Sequence, residues 1–395
     1  MAVEHIIELS ALDFGGKSTQ ADLLTYGNYS FVHNFGGFGD YGDSIPRGLD
    51  HYEDWNWWFK DTTFQQFGGA VIEAYNTRTS SASQSSYDIA VTERGASMVK
   101  AQLTANFATR NEIEVFSLVE KVEDYAKSEM VLSDVPKTEI YLEPDQVYES
   151  MVSKFRGLTR NLITAKTEFS PHQTDFYEAY QKNLSEALEH FASIDRLGRI
   201  TVDSSAIDVN NQIRNFESLT DLQLPELLSP LNRYVGLSGL SESGKSKIAE
   251  VLASDHGFTR FKLGFFNELV RDEQPSGPPV EIAKKIAQFL IENKHIKRAS
   301  FESFHGPQLA AELKLLLGKR WLTVFVDSKE VTRQQRLLDQ FPGVNPEYLL
   351  AEQALKDEVK NEAGVLDNKD IADIVIDNNG SLDESIRFLL DEVTL

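Results

Sequence analysis

A Gly-Lys-Ser triplet occurs twice in this chain, each time in surroundings suited to holding phosphate. Gly239-Leu240-Ser241-Glu242-Ser243-Gly244-Lys245-Ser246 fits G-x-x-x-x-G-K-[ST] at every position and follows the apolar run Tyr234-Val235-Gly236-Leu237. Ala11-Leu12-Asp13-Phe14-Gly15-Gly16-Lys17-Ser18-Thr19 follows Ile6-Ile7-Glu8-Leu9 and fits except that Ala11 stands at the first glycine position. In such a loop the glycines let successive backbone N–H groups turn inward around a phosphate. The lysine adds a mobile positive charge, and the hydroxyl of the following residue reaches Mg²⁺. The helix that starts there adds the positive end of its dipole. Gly15, Gly16, Lys17, Ser18 and Thr19 form one candidate ATP site. Gly239, Gly244, Lys245 and Ser246 form the other, and Ser18 and Ser246 are the candidate Mg²⁺ ligands. A methyl group at Ala11 is tolerated if that residue has a negative φ.

Two loops of this kind need two sheets to carry them. Strands are expected at His5–Leu9, Tyr29–His33, Ile89–Thr92, Glu139–Leu142 and Arg199–Val202, then at Tyr234–Leu237, Thr259–Lys262, Ala299–Phe304, Leu322–Val326 and Ile374–Ile376. Helices are expected at Ser18–Tyr26, Ala96–Ala108, Gln146–Phe155, Thr174–Ala192, Lys245–Ala253, Pro279–Glu292, Gln308–Leu317 and Glu330–Gln340. Strand–helix alternation implies parallel sheets covered on both faces. The predicted class is α/β, with two P-loop NTPase domains, each a parallel sheet flanked by helices. Asn210–Leu231, with two prolines and no clear period, is the expected linker. The boundary is placed at 228, giving domains 1–228 and 229–395. The polar stretch Thr77–Ser86 is expected to be a mobile loop.

The chain has 395 residues, 41% of them apolar, which suits two packed domains of ordinary size. Its 39 basic and 61 acidic residues leave a net charge of −22. That argues against nucleic-acid binding, which needs clustered Lys and Arg to release counterions, but not against nucleotides held by a loop and a few cations. There is no cysteine, which excludes disulfides, thiolate metal sites and cysteine nucleophiles. With no membrane-length apolar stretch and no secretory signal, a soluble cytoplasmic protein is expected.

The first half resembles thymidylate kinases over roughly residues 3–215. Phe14-Gly15-Gly16-Lys17-Ser18-Thr19-Gln20 is similar to that family's G-K-S-T-Q loop. Tyr87-Asp88-Ile89-Ala90-Val91-Thr92-Glu93-Arg94-Gly95 resembles its strand ending in Asp-Arg, with Glu93 where the family has Asp. Glu139–Pro144, leading into Gln146–Arg160, resembles the strand and arginine-bearing helix before its lid. The resemblance implies that Lys17 bridges the β and γ phosphates and that Arg94 clamps the acceptor phosphate. It further implies that Glu93 orients a Mg²⁺-bound water or the acceptor sugar, and that Lys154, Arg156 and Arg160 act from the lid. It also implies a homodimer as one assembly to expect.

Between the second strand and Arg94 lies an aromatic insertion that includes Phe35, Trp55, Trp57, Trp58, Phe59, Phe64 and Phe67. In the resembling family this region contacts the acceptor base, so stacking on a flat substrate is one reading; core packing is the plainer one. Arg47 lies in the same insertion as a candidate for an acceptor phosphate.

The second half, about residues 232–395, resembles the dephospho-coenzyme A kinase and adenylate-kinase-like group. Phe301–Leu313 is similar to its strand–Gly–x–Arg–x–x–Glu segment, with His305 in place of the Arg. Val324-Phe325-Val326-Asp327-Ser328, followed by Arg333 and Arg336, resembles its lid-approach helix. Ala372–Ser381 is similar to its terminal A-D-x-V-I-D-N-x-G-S turn. The resemblance implies that Lys245, Ser246 and Arg336 hold ATP, and it leaves the acceptor side to His305 or Lys262. Arg333 reads equally as a solvated helix face, and the acidic run Glu352–Asp370 as a solvated helical lid segment or surface.

The leading expectation is ATP- and Mg²⁺-dependent phosphoryl transfer to a (deoxy)nucleoside monophosphate, thymidylate or a related pyrimidine first. The alternatives are a kinase on another small phosphate acceptor carried by the second domain, and a nucleotide-sensing scaffold without net turnover.

Overall fold

The structure is a computed structural model that describes residues 3–12, 15–28, 30–37, 41–46, 51–131, 133–144, 171–266, 279–304 and 306–393. The chain divides into two compact units, one of residues 1–204 with 209–225 and one of residues 205–208 with 226–395.

Unit 1 is built on strands β1 (His5–Ser10), β2 (Val32–Asn34), β3 (Ile89–Glu93), β4 (Lys137–Pro144) and β5 (Gly198–Val202), in spatial order β2-β3-β1-β4-β5. Unit 2 repeats the plan with β6 (Arg233–Ser238), β7 (Thr259–Lys262), β8 (Arg298–Glu302), β9 (Trp321–Asp327) and β10 (Ile374–Asp377), in order β7-β8-β6-β9-β10. All neighbouring strands are parallel. This is the α/β architecture expected of two P-loop, nucleoside monophosphate kinase-like units; nine of the ten strands lie where the apolar runs placed them, and β2 is shifted to Val32–Asn34 from the expected Tyr29–His33.

Helices α1 (Lys17–Thr25), α2 (Phe64–Ser83), α3 (Ala96–Asn111), α4 (Val119–Glu129), α5 (Pro171–Ile194) and α6 (Ala206–Arg214) accompany the first sheet. In unit 2 follow α7 (Lys245–Asp255), α8 (Pro279–Glu292), α9 (Pro307–Leu317), α10 (Glu330–Gln340), α11 (Pro346–Glu362) and α12 (Leu382–Val393). The central strands are apolar because both faces are covered: Ile6, Ile7 and Leu9 of β1 and Tyr234, Val235 and Leu237 of β6 are buried. The glycine inside β6 also has a packing cause. A Cβ on Gly236 would lie 2.5 Å from the Trp321 ring of β9, so the strand lacks a side chain where the indole crosses it.

Two expectations change, and for the aromatic insertion the plainer reading holds. Thr77–Ser83 is not a loop but the last two turns of α2, whose Arg78, Thr79 and Ala82 are buried. Its polar composition hides the helix because the buried face there is built from small and hydrogen-bonded side chains. The expected linker is ordered at its start: Asn210 and Arg214 are buried, and the Arg214 guanidinium donates to Asn210 Oδ1, to the carbonyls of Leu23 and Leu24, and to that of Pro225. Proline content alone does not reveal a segment held by one arginine. The aromatic insertion is largely core: Trp55, Phe64 and Phe67 are buried, and Trp57, Trp58 and Phe59 pack against the same cluster.

Among the described residues, no helix is long and apolar enough to cross a membrane.

Candidate functional site

In an open parallel sheet, ligands collect beyond the carboxyl ends of the strands where the strand order reverses. In unit 1 that point lies at the ends of β1 and β3, and in unit 2 at the ends of β6 and β8. Both glycine loops start there.

In unit 1, β1 runs into Ala11 and Leu12, both buried, and α1 begins at Lys17 behind Gly16 in the left-handed region (φ 82°). A Cβ on Gly15 would come within 2.8 Å of the Ala11 methyl, so the alanine is accommodated by the glycine four residues on. Lys17 is only 6% exposed, and its Nζ donates to the Ala11 and Leu12 carbonyls at 2.8 Å each. The exposed Ser18 donates to Glu93 Oε2 at 2.7 Å. Glu93 ends β3 in register with Leu9, which places its carboxylate next to the loop.

Arg94 follows at φ 65°, a conformation uncommon outside glycine. Its N–H donates to the Leu9 carbonyl at 2.8 Å, and its guanidinium lies against Gly37, whose added Cβ would sit 2.8 Å from it. Two groups that sequence reasoning missed hold this turn. Arg78 is fully buried and donates to the carbonyls of Glu93 and Arg94, the latter at 2.8 Å. Glu139 of β4 accepts from Ser10 Oγ at 2.6 Å and from the N–H of Ser97 at 3.1 Å, while Ser10 Oγ accepts from the Gly95 N–H. Gly95 is required here, because a Cβ would lie 2.4 Å from the Glu139 carboxyl carbon. No sequence signal separates Arg78 from a surface helix arginine; the pairing of Glu8 with Glu139 across β1 and β4 was equally hidden.

Burial, and then the charge of Glu8, push the Glu139 carboxyl up to about 7, against the opposing hydrogen bonds of Ser10 and Ser97. Because the folded value lies above the ordinary 4.5, this group's contribution to stability is present below pH 4.5 and is lost as pH rises through 7. Unit 1 is expected to lose on the order of 3 kcal/mol over that range. The loss should be absent in Glu139→Gln, as read from urea unfolding followed at several pH values.

Unit 2 repeats the arrangement. Gly239 has φ 134°, and a Cβ there would lie 2.5 Å from the Val326 carbonyl; Gly244 has φ 102°. Lys245 is buried and its Nζ donates to the Leu240 carbonyl at 2.6 Å and to Ser243 Oγ at 3.2 Å. Burial, then the nearby Lys360 charge, bring the Lys245 ammonium down to about 7. Ser246 hydrogen-bonds Glu302, which ends β8 in register with Leu237 as Glu93 does with Leu9. Burial raises the Glu302 carboxyl, but the hydrogen bonds and charge of Arg260, with Ser246, hold it below its ordinary value.

Ser303 then occupies the position of Arg94, at φ 60°. The residue after the carboxylate is thus a guanidinium in unit 1 and a small hydroxyl in unit 2. Arg336 donates to the loop carbonyls of Ser243 and Glu242 at 3.2 and 3.4 Å and to the Asn378 carbonyl at 2.6 Å, as a loop-side cation should. Arg333 is not solvated: it is buried, bonded to the Ser241 carbonyl and paired with Asp357.

Arg47, Lys154, Arg156, Arg160 and His305, with Asp13 and Phe14 of the first loop, lie outside the described residues. Among the described residues, no group of three or more His, Asp or Glu could hold a metal. A serine hydroxyl beside one carboxylate oxygen is nonetheless a hard-oxygen pair that fits Mg²⁺, which is commonly held by one or two protein oxygens together with substrate phosphates.

No protein-family model and no curated protein sequence matches the chain. Among solved structures, the thymidylate kinase of Candida albicans is similar at 13% identity and a TM-score of 0.39, over 56% of this chain and 94% of that one. An uncharacterized protein of Eubacterium ventriosum is similar at 16% identity and a TM-score of 0.30, over 41% of this chain and 98% of that one. At that distance neither likeness carries a conclusion about function.

Proposed function

We propose that the chain is an ATP- and Mg²⁺-dependent phosphotransferase in which unit 1 phosphorylates a (deoxy)nucleoside monophosphate, with thymidylate or a related pyrimidine deoxynucleotide as the first acceptor to test. The observation that carries this reading is the Ser18–Glu93 pair at 2.7 Å, set between a glycine loop with a buried lysine and an arginine in left-handed backbone. Phosphoryl transfer asks a protein mainly for positioning and charge neutralisation, and this cluster supplies both. In the transfer, an oxygen of the acceptor phosphate bonds to the γ phosphorus of ATP as the bond to the β–γ bridging oxygen breaks, and ADP leaves.

Lys17 exchanges the Ala11 and Leu12 carbonyls for phosphate oxygens. Ser18 and Glu93 would hold Mg²⁺. Arg94 binds the acceptor phosphate, fixed in direction by Arg78 and by the Ser10–Glu139 network. Bound Mg²⁺ supplies neutralisation of the charge on the β and γ phosphates.

Unit 2 has a complete loop but Ser303 where unit 1 has Arg94, which favours nucleotide binding in an auxiliary or sensing capacity. The test is product formation from ATP and Mg²⁺ against a panel of nucleoside and deoxynucleoside monophosphates and dephospho-coenzyme A. It should use the intact chain, Lys17→Ala and Lys245→Ala in parallel. Turnover lost only in Lys17→Ala supports the reading. Turnover lost only in Lys245→Ala moves catalysis to unit 2. ATP binding without any product would make the chain a sensor.

A further inference from the structure

The acidic helix α11 reaches the loop of unit 2. Asp357 Oδ1 accepts the Ser241 backbone N–H at 2.8 Å, one of the loop donors at the mouth of the site. Its other oxygen pairs with Arg333, which also donates to the Ser241 carbonyl at 3.0 Å. One turn further along α11, Lys360 Nζ donates to Ser241 Oγ at 2.9 Å. A carboxylate therefore sits on a backbone N–H flanked by two cations, the position and company suited to a phosphate oxygen.

Spare donors remain in this seat. Arg333 is only 5% exposed, and its buried Nε–H has no partner. Gln353 is equally buried, lies one turn before Asp357 on α11, and has neither amide atom bonded. Buried polar groups without partners are costly and uncommon, and here they flank an anion-binding seat.

We propose that the Ser241 N–H, Arg333 and Lys360 form a subsite for a phosphoryl group of a nucleoside triphosphate or a linear polyphosphate, and that Asp357 fills it as an internal competitor that the ligand displaces. This rests on the reading of unit 2 as a phosphate-binding unit. The arginine gains a more highly charged partner with more acceptor oxygens on exchange, and α11 loses an anchor. Binding at the loop is thereby coupled to release of a helix whose outer face carries the exposed Tyr348, Leu355 and Val359.

The experiment is calorimetric titration of ATP–Mg²⁺ and of tripolyphosphate into the intact chain carrying Lys17→Ala, which silences the first loop. Asp357→Asn, Lys360→Ala and Lys245→Ala are then added one at a time. Asp357→Asn keeps the shape and an acceptor for Ser241 while removing the charge, so about tenfold tighter binding is expected. Lys360→Ala should weaken binding by a similar factor. Tightening for both probes identifies a general phosphoryl subsite; tightening for ATP alone assigns it to nucleotides. Binding that depends on Lys245 but is unchanged or weakened in Asp357→Asn overturns the proposal while leaving the nucleotide reading of unit 2 intact. Absence of Lys245-dependent binding in every variant overturns both.

Hydrogen exchange in the protein with the native Asp357 covers the case in which Asp357→Asn fails to fold. Amides of residues 346–362 should lose protection when tripolyphosphate binds, and unchanged protection would sink the displacement.

Discussion

Glu93→Gln is expected to lower turnover by roughly 10²–10³-fold, about 3–4 kcal/mol of transition-state stabilisation, with little change in stability. The substitution keeps an acceptor for the Ser18 hydroxyl, which is bonded to Oε2 at 2.7 Å, and removes only the negative charge. The side chain is nearly buried at the end of β3, so its replacement has little freedom to move away. If Glu93 holds Mg²⁺, the variant should also need a higher Mg²⁺ concentration for half-maximal rate, as read from steady-state rates over a Mg²⁺ series. An unchanged rate and an unchanged Mg²⁺ requirement would place the metal elsewhere. Glu302→Gln in unit 2 tests the same geometry without touching unit 1 and should leave that turnover near its starting value. The comparison separates a local metal effect from a general effect of removing a carboxylate.

The second large effect concerns Arg78, and it is one of stability and alignment together. Arg78→Met is expected to destabilise unit 1 by about 1–3 kcal/mol for each backbone carbonyl left without a donor. Two such carbonyls, those of Glu93 and Arg94, face the buried guanidinium. Arg78→Lys should recover little, because a single ammonium cannot reproduce the planar fork that reaches both oxygens. Arg94 sits at φ 65°, a conformation that persists only where its surroundings over-determine it. Loss of the fork should therefore raise KM for the acceptor more than KM for ATP. Urea unfolding monitored by hydrogen exchange at β3 and α3 gives the stability change unit by unit, which a single global transition would blur. Equal effects on both substrates would reduce Arg78 to a purely structural part.

The two glycine loops, the ten strands and the α/β class were legible in the residues themselves. Each rests on a local rule: glycine where φ must be positive or space is short, continuous apolar runs where a strand is covered on both faces, and a lysine–serine pair at a helix start. Lys17 and Ser18 could be named from that signal itself, and Glu93 and Arg94 from the resemblance of their strand end. Arg336 could be named only through the resemblance of its helix to a lid-approach helix. The polar half of α2 was misread for the converse reason. Thr-Arg-Thr-Ser-Ser carries no apolar period, and its burial comes from what other segments place around it.

Tertiary structure alone decided the rest. Glu8 and Glu139 are 131 residues apart in the chain and become neighbours only through strand register, where shared burial raises a carboxyl that is otherwise ordinary. Ser303 stands at the position of Arg94, which only the register of β8 against β6 reveals. Asp357 reads as one charge in an acidic run, yet it lies on the Ser241 N–H because α11 folds back over its own loop. A sequence specifies local conformation through short-range sterics and hydrophobic period. Which charges meet in a site depends on long-range packing, because the energy of a charge is set by the groups folding brings around it.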